Sequence, residues 1–135
     1  MRAQALAVLL CGCATNPTPD AETRPVPPQR ILNPAFLQVQ PNTGVVAVKR
    51  DPGFMAGGSY TELLVDEHPV ARLKTTERLV LHLPLGEHVL SARPVCPLGS
   101  HGLAEVTVTV RADTAASYRI GVGSGGDMSI YPTTL

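Results

Sequence analysis

Apolar residues recur at every second position in short runs between residues 44 and 131, and this alternation limits the fold more than any other feature of the sequence. The clearest run is residues 105–111, EVTVTVR, in which three valines alternate with Glu, Thr, Thr and Arg. A period of two places one side of a strand against a core and the other side in water. Residues 105–111 therefore predict a half-buried β-strand.

Similar runs predict the other strands, and typical turn sequences separate them at residues 51–53, 66–68 and 84–87. These further strands are 44–50, 60–65, 70–73, 79–83, 88–95, 118–122 and 128–131. Short strands at spacings near ten residues, without a helical pattern, predict an all-β fold. We expect a small β-sandwich of about seven or eight short antiparallel strands, or a small barrel, over residues 44–135.

The composition fits a single domain with an aliphatic core. Of the 135 residues, 44% are hydrophobic and 4% aromatic, and there is no Trp, so aliphatic side chains must fill the interior. Thirteen Pro and twelve Gly favour turns over long helices. Eleven basic residues balance eleven acidic residues, so the chain lacks the overall positive field that holds nucleic acid. We therefore expect no nucleic-acid partner.

A Pro-rich segment precedes the strands. Seven of the thirteen prolines lie between residues 14 and 42. Because Pro removes a backbone donor and holds the preceding residue extended, residues 13–43 predict a semi-rigid tether. Within it, residues 31–37, ILNPAFL, are more apolar than a spacer requires. Two interpretations stay open: these residues dock on the domain as a first strand, or they bind another protein.

The first thirteen residues have the organisation of an export signal. Met1-Arg2 carries one positive charge, and residues 3–10 form an apolar run that is too short to span a bilayer but fits a signal peptide. The run ends in Leu10-Cys11-Gly12-Cys13, which resembles the lipobox of bacterial lipoproteins. The resemblance implies a signal peptide at residues 1–12, cleavage between Gly12 and Cys13, and acylation of Cys13 with palmitate-type chains.

Acylation of Cys13 would make the lipid bilayer the first partner of the chain. Two or three acyl chains, as in lipoproteins of this type, give lasting attachment, whereas a single chain binds only marginally. Loss of residues 1–12 removes one basic residue, Arg2, and leaves the mature chain with a net charge of −1. Ala14 stands where an Asp would favour the inner membrane. The resemblance therefore implies an outer-membrane location facing the periplasm.

A second resemblance covers residues 45–95. Residues 65–68 (VDEH), 69–73 (PVARL) and 84–90 (PLGEHVL) resemble the V-D-G-K, V-A-x-L and P-P-G-x-H-x-L elements of PEGA-type β-sandwich domains and of a related domain of bacterial lipoproteins. This resemblance implies a small envelope β-sandwich and no catalytic residues. Glu67 replaces the family's Gly, so we expect a looser turn there than the two-residue type that favours Asp-Gly.

Motifs that would carry catalysis or bind a cofactor are weak. Residues 121–126, GVGSGG, match G-x-G-x-x-G, but only nine residues follow, so a hairpin between the last two strands is the better interpretation. Ser59, His68 and Asp66 supply the residue types of a Ser–His–Asp triad without a nucleophile-elbow motif. We expect no enzyme activity and no cofactor.

The histidines and Cys96 show no metal-ligand spacing. His82 and His88 flank one predicted hairpin and would meet across it in a two-His site, although solvated imidazoles are the simpler interpretation. We therefore expect no metal ion. The other two histidines are His68 and His101. Because acylated Cys13 is the other mature cysteine, Cys96 has no partner for an internal disulfide, and both burial and an intermolecular bond stay open.

These features predict a membrane-anchored envelope lipoprotein that acts as a non-enzymatic accessory or protein-interaction module, with an envelope protein as its partner. An exposed strand edge, or the loops at residues 57–58 and 99–102, would supply the binding surface. The alternative is a periplasmic carrier of a small ligand, namely a lipid, a glycan or a peptide. An apolar pocket between the sheets would favour that alternative.

Overall fold

Nine β-strands dominate the computed structural model, which describes residues 19–52, 60–95, 102–123 and 127–134. The strands are β1 (Arg24–Pro25), β2 (Thr43–Arg50), β3 (Tyr60–Val65), β4 (His68–Leu73), β5 (Glu77–Pro84), β6 (Gly86–Val95), β7 (Ala104–Val110), β8 (Ala116–Val122) and β9 (Met128–Pro132). The helices of the described residues are short 3-10 turns at Asp20–Glu22, Pro28–Arg30 and Pro34–Leu37. The prediction of an all-β fold is confirmed. The described part of the chain contains no helix with the length and apolarity needed to cross a membrane.

The strands form two sheets. Sheet A has five strands in the order β1-β5-β2-β8-β9, and sheet B has four in the order β4-β3-β6-β7. Most neighbouring strands are antiparallel, as predicted, but β1 runs parallel to β5 and β2 runs parallel to β8. The antiparallel prediction is wrong for these two pairs. The period of a sequence shows which side of a strand is buried, but it does not show which strand lies beside it.

Burial alternates with the predicted period in β5 and in most of β2 and β7, whereas Thr61–Val65 of β3 are all buried. In β5, Leu79, Leu81 and Leu83 are buried, whereas Val80 between them is exposed. Buried residues of both sheets belong to one hydrophobic cluster, whose fully buried members include Val46, Val48, Leu63, Val65, Leu81, Leu90 and Ile120. Full burial of one Val or Leu side chain contributes roughly 1.5–3 kcal/mol. This shared core is therefore the main source of stability.

The N-terminal segment, residues 20–42, lies against both sheets. Val26 belongs to the core cluster, and three residues of the apolar run pack against that cluster, namely Ile31, Phe36 and Leu37. The structure shows residues 31–37 docked on the domain, but not as the first strand that one interpretation expected: Ile31 forms an isolated bridge and Pro34–Leu37 a 3-10 turn. Packing begins well before the predicted boundary at residue 43. Prolines prevent an α-helix or a central strand, but they permit 3-10 turns and pairing at a sheet edge.

This segment covers one side of both sheets. β1 pairs with β5 in sheet A. In sheet B, Ile31 forms a bridge with Ala71 of β4. The backbone amides of Leu32 and Asn33 both donate to the carbonyl oxygen of Val70, at 2.7 and 3.1 Å. The backbone groups that pair in this way are no longer available to strands of other molecules.

A two-residue turn joins β3 to β4. Val65 lies opposite His68, and the two residues between them have positive φ angles, 48° at Asp66 and 70° at Glu67. Positive φ at both positions is the type I′ pattern, whose twist matches that of paired strands. The expectation of a looser turn is therefore wrong. Strand pairing imposes the tight turn, and Glu67 adopts a left-handed conformation that Gly adopts without strain.

Glu67→Gly is expected to stabilise the protein by about 1 kcal/mol, because it removes the clash of a β-carbon in the left-handed region. Thermal unfolding should show an increase in Tm of about 4 °C. Glu67→Ala is the matched control, since it removes the carboxylate but keeps the β-carbon. A Tm of Glu67→Gly at or below that of Glu67→Ala would show that the turn is not strained.

Candidate functional site

The predicted lipidation site, Gly12 and Cys13, lies outside the described residues, so its acylation stays a prediction. The same holds for other positions that the sequence singled out, namely residues 57–58, Ser59, Cys96, residues 99–101 and residues 124–126. Within the described ranges, no group of three His, Cys, Asp or Glu side chains is placed to hold a metal ion.

The structure does not bring His82 and His88 together. Their strands, β5 and β6, belong to different sheets, so the turn at Leu85 is a corner between the sheets and not a hairpin. His82 lines a depression beside Leu37 and Val80 on sheet A. His88 instead points towards Asp66. The alternative of a two-His site therefore does not form, because β5 and β6 are not paired in one hairpin.

His88 links two turns of the chain. Its Nδ1 lies 2.6 Å from Oδ2 of Asp66, and its Nε2 lies 2.7 Å from the carbonyl oxygen of Pro84. The other carboxylate oxygen of Asp66 accepts a hydrogen bond from the amide of Val89 at 2.9 Å. The atoms that face the two ring nitrogens are a carboxylate oxygen and a carbonyl oxygen, both of which are hydrogen-bond acceptors. We call Asp66, Pro84, His88 and Val89 the turn clamp.

The turn clamp favours the ionised carboxylate of Asp66. Partial burial raises the pKa of Asp66, but the hydrogen bonds from His88 and Val89, together with nearby positive charge, outweigh burial and lower this pKa. This contact also bears on the triad considered from sequence, in which His68 would pair with Asp66. The carboxylate bonds to His88 instead, and it holds the β3–β4 turn against the β5–β6 corner.

The sequence elements that resemble PEGA-type domains come together in the turn clamp. Asp66 belongs to the V-D element, and Pro84, Gly86 and His88 belong to the P-x-G-x-H element. Gly86 has a φ of 115°, a conformation that Gly adopts far more readily than other residues. The chain can therefore turn sharply between the sheets, and His88 returns to the carbonyl of Pro84. A hydrogen-bonded corner accounts for this spacing without any catalytic role.

An ionic cluster fastens the N-terminal segment to the sheets. The guanidinium of Arg30 donates two hydrogen bonds to the carboxylate of Glu77, one of them 2.6 Å long, and a further one to the carbonyl of Arg72 at 3.0 Å. The amide of Lys74 also donates to Glu77, at 2.7 Å. The side-chain charges of Arg30 and Lys74 lie 5.3 and 5.4 Å from the centre of the Tyr60 ring. We call Arg30, Tyr60, Lys74 and Glu77 the latch.

Burial makes the attraction between the charged groups of the latch stronger than it would be in water. Glu77 is 5% exposed, and this burial raises its pKa, but the contacts with Arg30 and the amide of Lys74 outweigh burial and lower it. The hydrogen bond with Glu77 raises the pKa of Arg30. Burial lowers the pKa of Arg50, which is 1% exposed, while the charge of Glu77 acts in the opposite direction. The one carboxylate of Glu77 thus acts electrostatically on two guanidinium groups, those of Arg30 and Arg50.

Sequence reasoning missed the latch. Arg30 and Glu77 are 47 residues apart, and neither belongs to a recognised motif. The one local signal is a basic residue directly before the apolar run at residues 31–37. A segment that docks through its apolar side chains brings its neighbouring charge to the surface of the domain, where a carboxylate can meet it.

A shallow apolar groove lies on sheet A. It has a volume of about 170 Å³, and it is lined by Asp20, Val45, Ala47, Val48, Lys49, Arg78, Val80, Ala115 and Ser117. The Nζ of Lys49 lies 3.1 Å from a carboxylate oxygen of Asp20. The described chain therefore begins beside this groove, which we call the sheet A groove.

The chain matches no family model, no curated protein and no solved structure. Its resemblances to bacterial lipoproteins and to PEGA-type domains accordingly stay predictions.

Proposed function

We propose that the protein is a membrane-anchored envelope lipoprotein, in which acylated Cys13 holds a small β-sandwich at the bilayer as a non-enzymatic accessory or interaction module. The sequence Leu10-Cys11-Gly12-Cys13 supports the anchor. The core cluster that both sheets share supports the sandwich. Ala14, in place of an Asp, supports the outer membrane and its periplasmic face.

The sequence Leu10-Cys11-Gly12-Cys13 is the observation that carries the anchor, and the docked N-terminal segment supports a body held close to the bilayer. Asp20 is bonded to Lys49 of β2, and the latch fastens the same segment at Arg30. Cys13 and Asp20 are seven residues apart, and seven residues span at most about 25 Å. Acylated Cys13 would therefore keep the folded body within this distance of the bilayer, much closer than a free tether of thirty residues would.

The sheet A groove supports an interaction role at the membrane. Asp20 lines the groove, so the groove lies on the part of the body that is nearest along the chain to the anchor. Val80 in its lining is 42% exposed, although it is a large aliphatic residue. The apolar side chains of the groove lie beside the charged Asp20, Lys49 and Arg78, and an apolar centre with a polar rim is the arrangement found in protein interfaces. We infer that an envelope protein at the membrane is the partner.

A small-ligand carrier is the second candidate, and the described residues support it less. Ligand pockets usually have volumes of about 300–1,000 Å³. The sheet A groove has about 170 Å³, and the depression beside His82 has about 270 Å³. Both volumes are below this range, and the large aliphatic side chains of the core cluster are buried.

Expression of the full chain in a diderm bacterium tests the anchor. We expect wild-type protein in the membrane fraction with acylated Cys13 at its N-terminus, and Cys13→Ser protein outside that fraction, because the acyl chains supply the membrane affinity. Cys11→Ser is the matched control, since it removes the neighbouring thiol and should leave the protein in the membrane. Mass spectrometry of the N-terminal peptide identifies the modification.

Photo-crosslinking in the same cells tests the interaction role. A crosslinking residue at Val80 should capture one defined envelope protein, whereas one at Val39, which is 81% exposed and does not line the groove, should not. Wild-type protein that stays soluble with residues 1–12 attached would refute the anchor. Anchored protein that gives no specific crosslink at Val80 would refute the interaction role alone.

A further inference from the structure

The two sides of the β domain differ in how their sheet edges are covered. The N-terminal segment covers β4 and β5 on one side. On the other side, β7 is the last strand of sheet B, and no strand among the described residues pairs with its outer edge. A strand with one unpaired edge presents a row of free backbone donors and acceptors, to which another strand can add.

β7 lacks three of the features that usually protect such an edge, namely a proline, a bulge and an inward-pointing charge. Its seven residues, Ala104–Val110, contain no Pro and no charge that points inward, and its register with β6 has no bulge. The residues on its outer face, Glu105, Thr107 and Thr109, are exposed, and so is Arg111 directly after the strand. This edge is therefore regular, and four exposed side chains on one face of the strand are available to select what pairs with it.

The four outer side chains of one copy, Glu105, Thr107, Thr109 and Arg111, are complementary to the same four side chains of a second copy. We propose that β7 pairs antiparallel with β7 of a second copy of the chain, about a two-fold axis at Val108, and that this pairing makes the protein a dimer. In this register Thr107 faces Thr109 of the second copy, and Glu105 faces Arg111 of the second copy. Because the interface is two-fold, each of these pairs forms twice.

The side chains on the inner face of β7 also fit this register. Val106, which is half-buried, comes to lie opposite Val110 of the second copy, and Val108 lies opposite itself. Sheet B then continues from one copy into the other as an eight-stranded sheet with aliphatic residues on one face. Cross-strand Thr–Thr, aliphatic and opposite-charge pairs are the combinations that stabilise antiparallel pairing.

Other registers lose this complementarity. A shift by one residue places inward-facing side chains opposite outward-facing ones, which the buried face of sheet B forbids. A two-fold axis at Thr107 places Glu105 opposite Thr109 and forms no ion pair. An axis at Thr109 places Glu105 opposite Asp113, a pair of like charges. The axis at Val108 is the arrangement in which both charges of the edge find opposite charges.

Charge exchange at positions 105 and 111 tests the pairing. The full chain with Cys13→Ser, in reducing buffer, excludes both acylation and disulfides, so the result does not depend on the proposed anchor. Sedimentation over a dilution series should show a dimer in equilibrium with monomer. Glu105→Arg, or Arg111→Glu, places like charges opposite each other twice and should raise the dissociation constant about tenfold.

Combining the two changes gives the decisive result. The double variant Glu105→Arg/Arg111→Glu restores both opposite-charge pairs and should dimerise like the parent chain. An equimolar mixture of the two single variants should form a heterodimer, since one copy then carries two Arg residues and the other two Glu residues. Both positions are exposed, and circular dichroism checks that each variant is folded. A monomeric parent chain, or single variants that dimerise as well as the parent, would overturn the proposal.

Discussion

Glu77→Ala is expected to lower the free energy of unfolding by about 3–5 kcal/mol, the cost typical of removing one partner from a buried ion pair. Glu77 is 5% exposed, and its carboxylate receives hydrogen bonds from Arg30 and from the amide of Lys74. Its negative charge also offsets the charge of Arg50, which is 1% exposed. Without this carboxylate two cations lose a counter-charge, and the N-terminal segment loses its latch.

Urea unfolding at neutral pH measures the loss, and Glu22→Ala is the matched control. Glu22 is an exposed acid of the same N-terminal segment, so its removal should change the free energy of unfolding by no more than about 0.5 kcal/mol. The latch would be of no structural importance if Glu77→Ala were as stable as Glu22→Ala.

The difference in stability between wild type and Glu77→Ala should depend on pH, in a direction that the pKa of Glu77 determines. The pKa of Glu77 is lowered in the folded protein, so its contribution to stability is fully present above the ordinary pKa of a Glu, about 4.3. That contribution is lost as the pH falls through the lowered pKa, because the carboxylate becomes protonated in the folded state too. The stability difference between wild type and Glu77→Ala should therefore narrow in acid.

The strands could be predicted because their signal is local. The run at residues 105–111 corresponds to Ala104–Val110, and the run at residues 44–50 corresponds to Thr43–Arg50. Alternation of apolar and polar side chains is a property of the strand itself. Strand pairing is not local: Val46 lies opposite Ala116 in the parallel pair of β2 and β8, and nothing in either run states this direction.

The N-terminal segment and the β3–β4 turn show where local rules fail. Prolines indicate an extended chain correctly, but whether that chain stays free depends on apolar contacts such as that of Val26 with the core. Similarly, the preference for Asp-Gly is correct for an isolated turn. At Asp66 and Glu67 the pairing of Val65 with His68 imposes the tight turn against that preference. In both places tertiary contacts outweigh the intrinsic tendency of the sequence.

The contacts of the turn clamp and of the latch also could not be predicted from the sequence. The resemblance to PEGA-type domains singled out the elements that contain Asp66, Pro84 and His88, but it did not show that these residues touch. The latch had no motif at all, because Arg30 and Glu77 meet only once the N-terminal segment has docked. Contacts between residues far apart in the chain follow from the fold, which must be known first.

Gly44→Ala is expected to lower the free energy of unfolding by about 1–3 kcal/mol, although Ala suits a strand better than Gly does. Gly44 lies near the start of β2, where the end of β7 passes close to it. A β-carbon on Gly44 would lie 2.7 Å from Cγ1 of Val110 and would also collide with the carbonyl oxygen of Arg111. The carbonyl belongs to the backbone, so β7 would have to move away from β2.

Gly123→Ala is the matched control for this prediction. Among the described residues, the atom nearest to a β-carbon on Gly123 would be the carbonyl oxygen of Asp127, at 3.7 Å, which is an ordinary contact. Chemical denaturation should therefore leave Gly123→Ala within about 0.5 kcal/mol of wild type. Equal stability of the two variants would mean that β2 and β7 are not in close contact at Gly44. A loss of stability in Gly44→Ala alone would support the close contact between the end of β7 and β2.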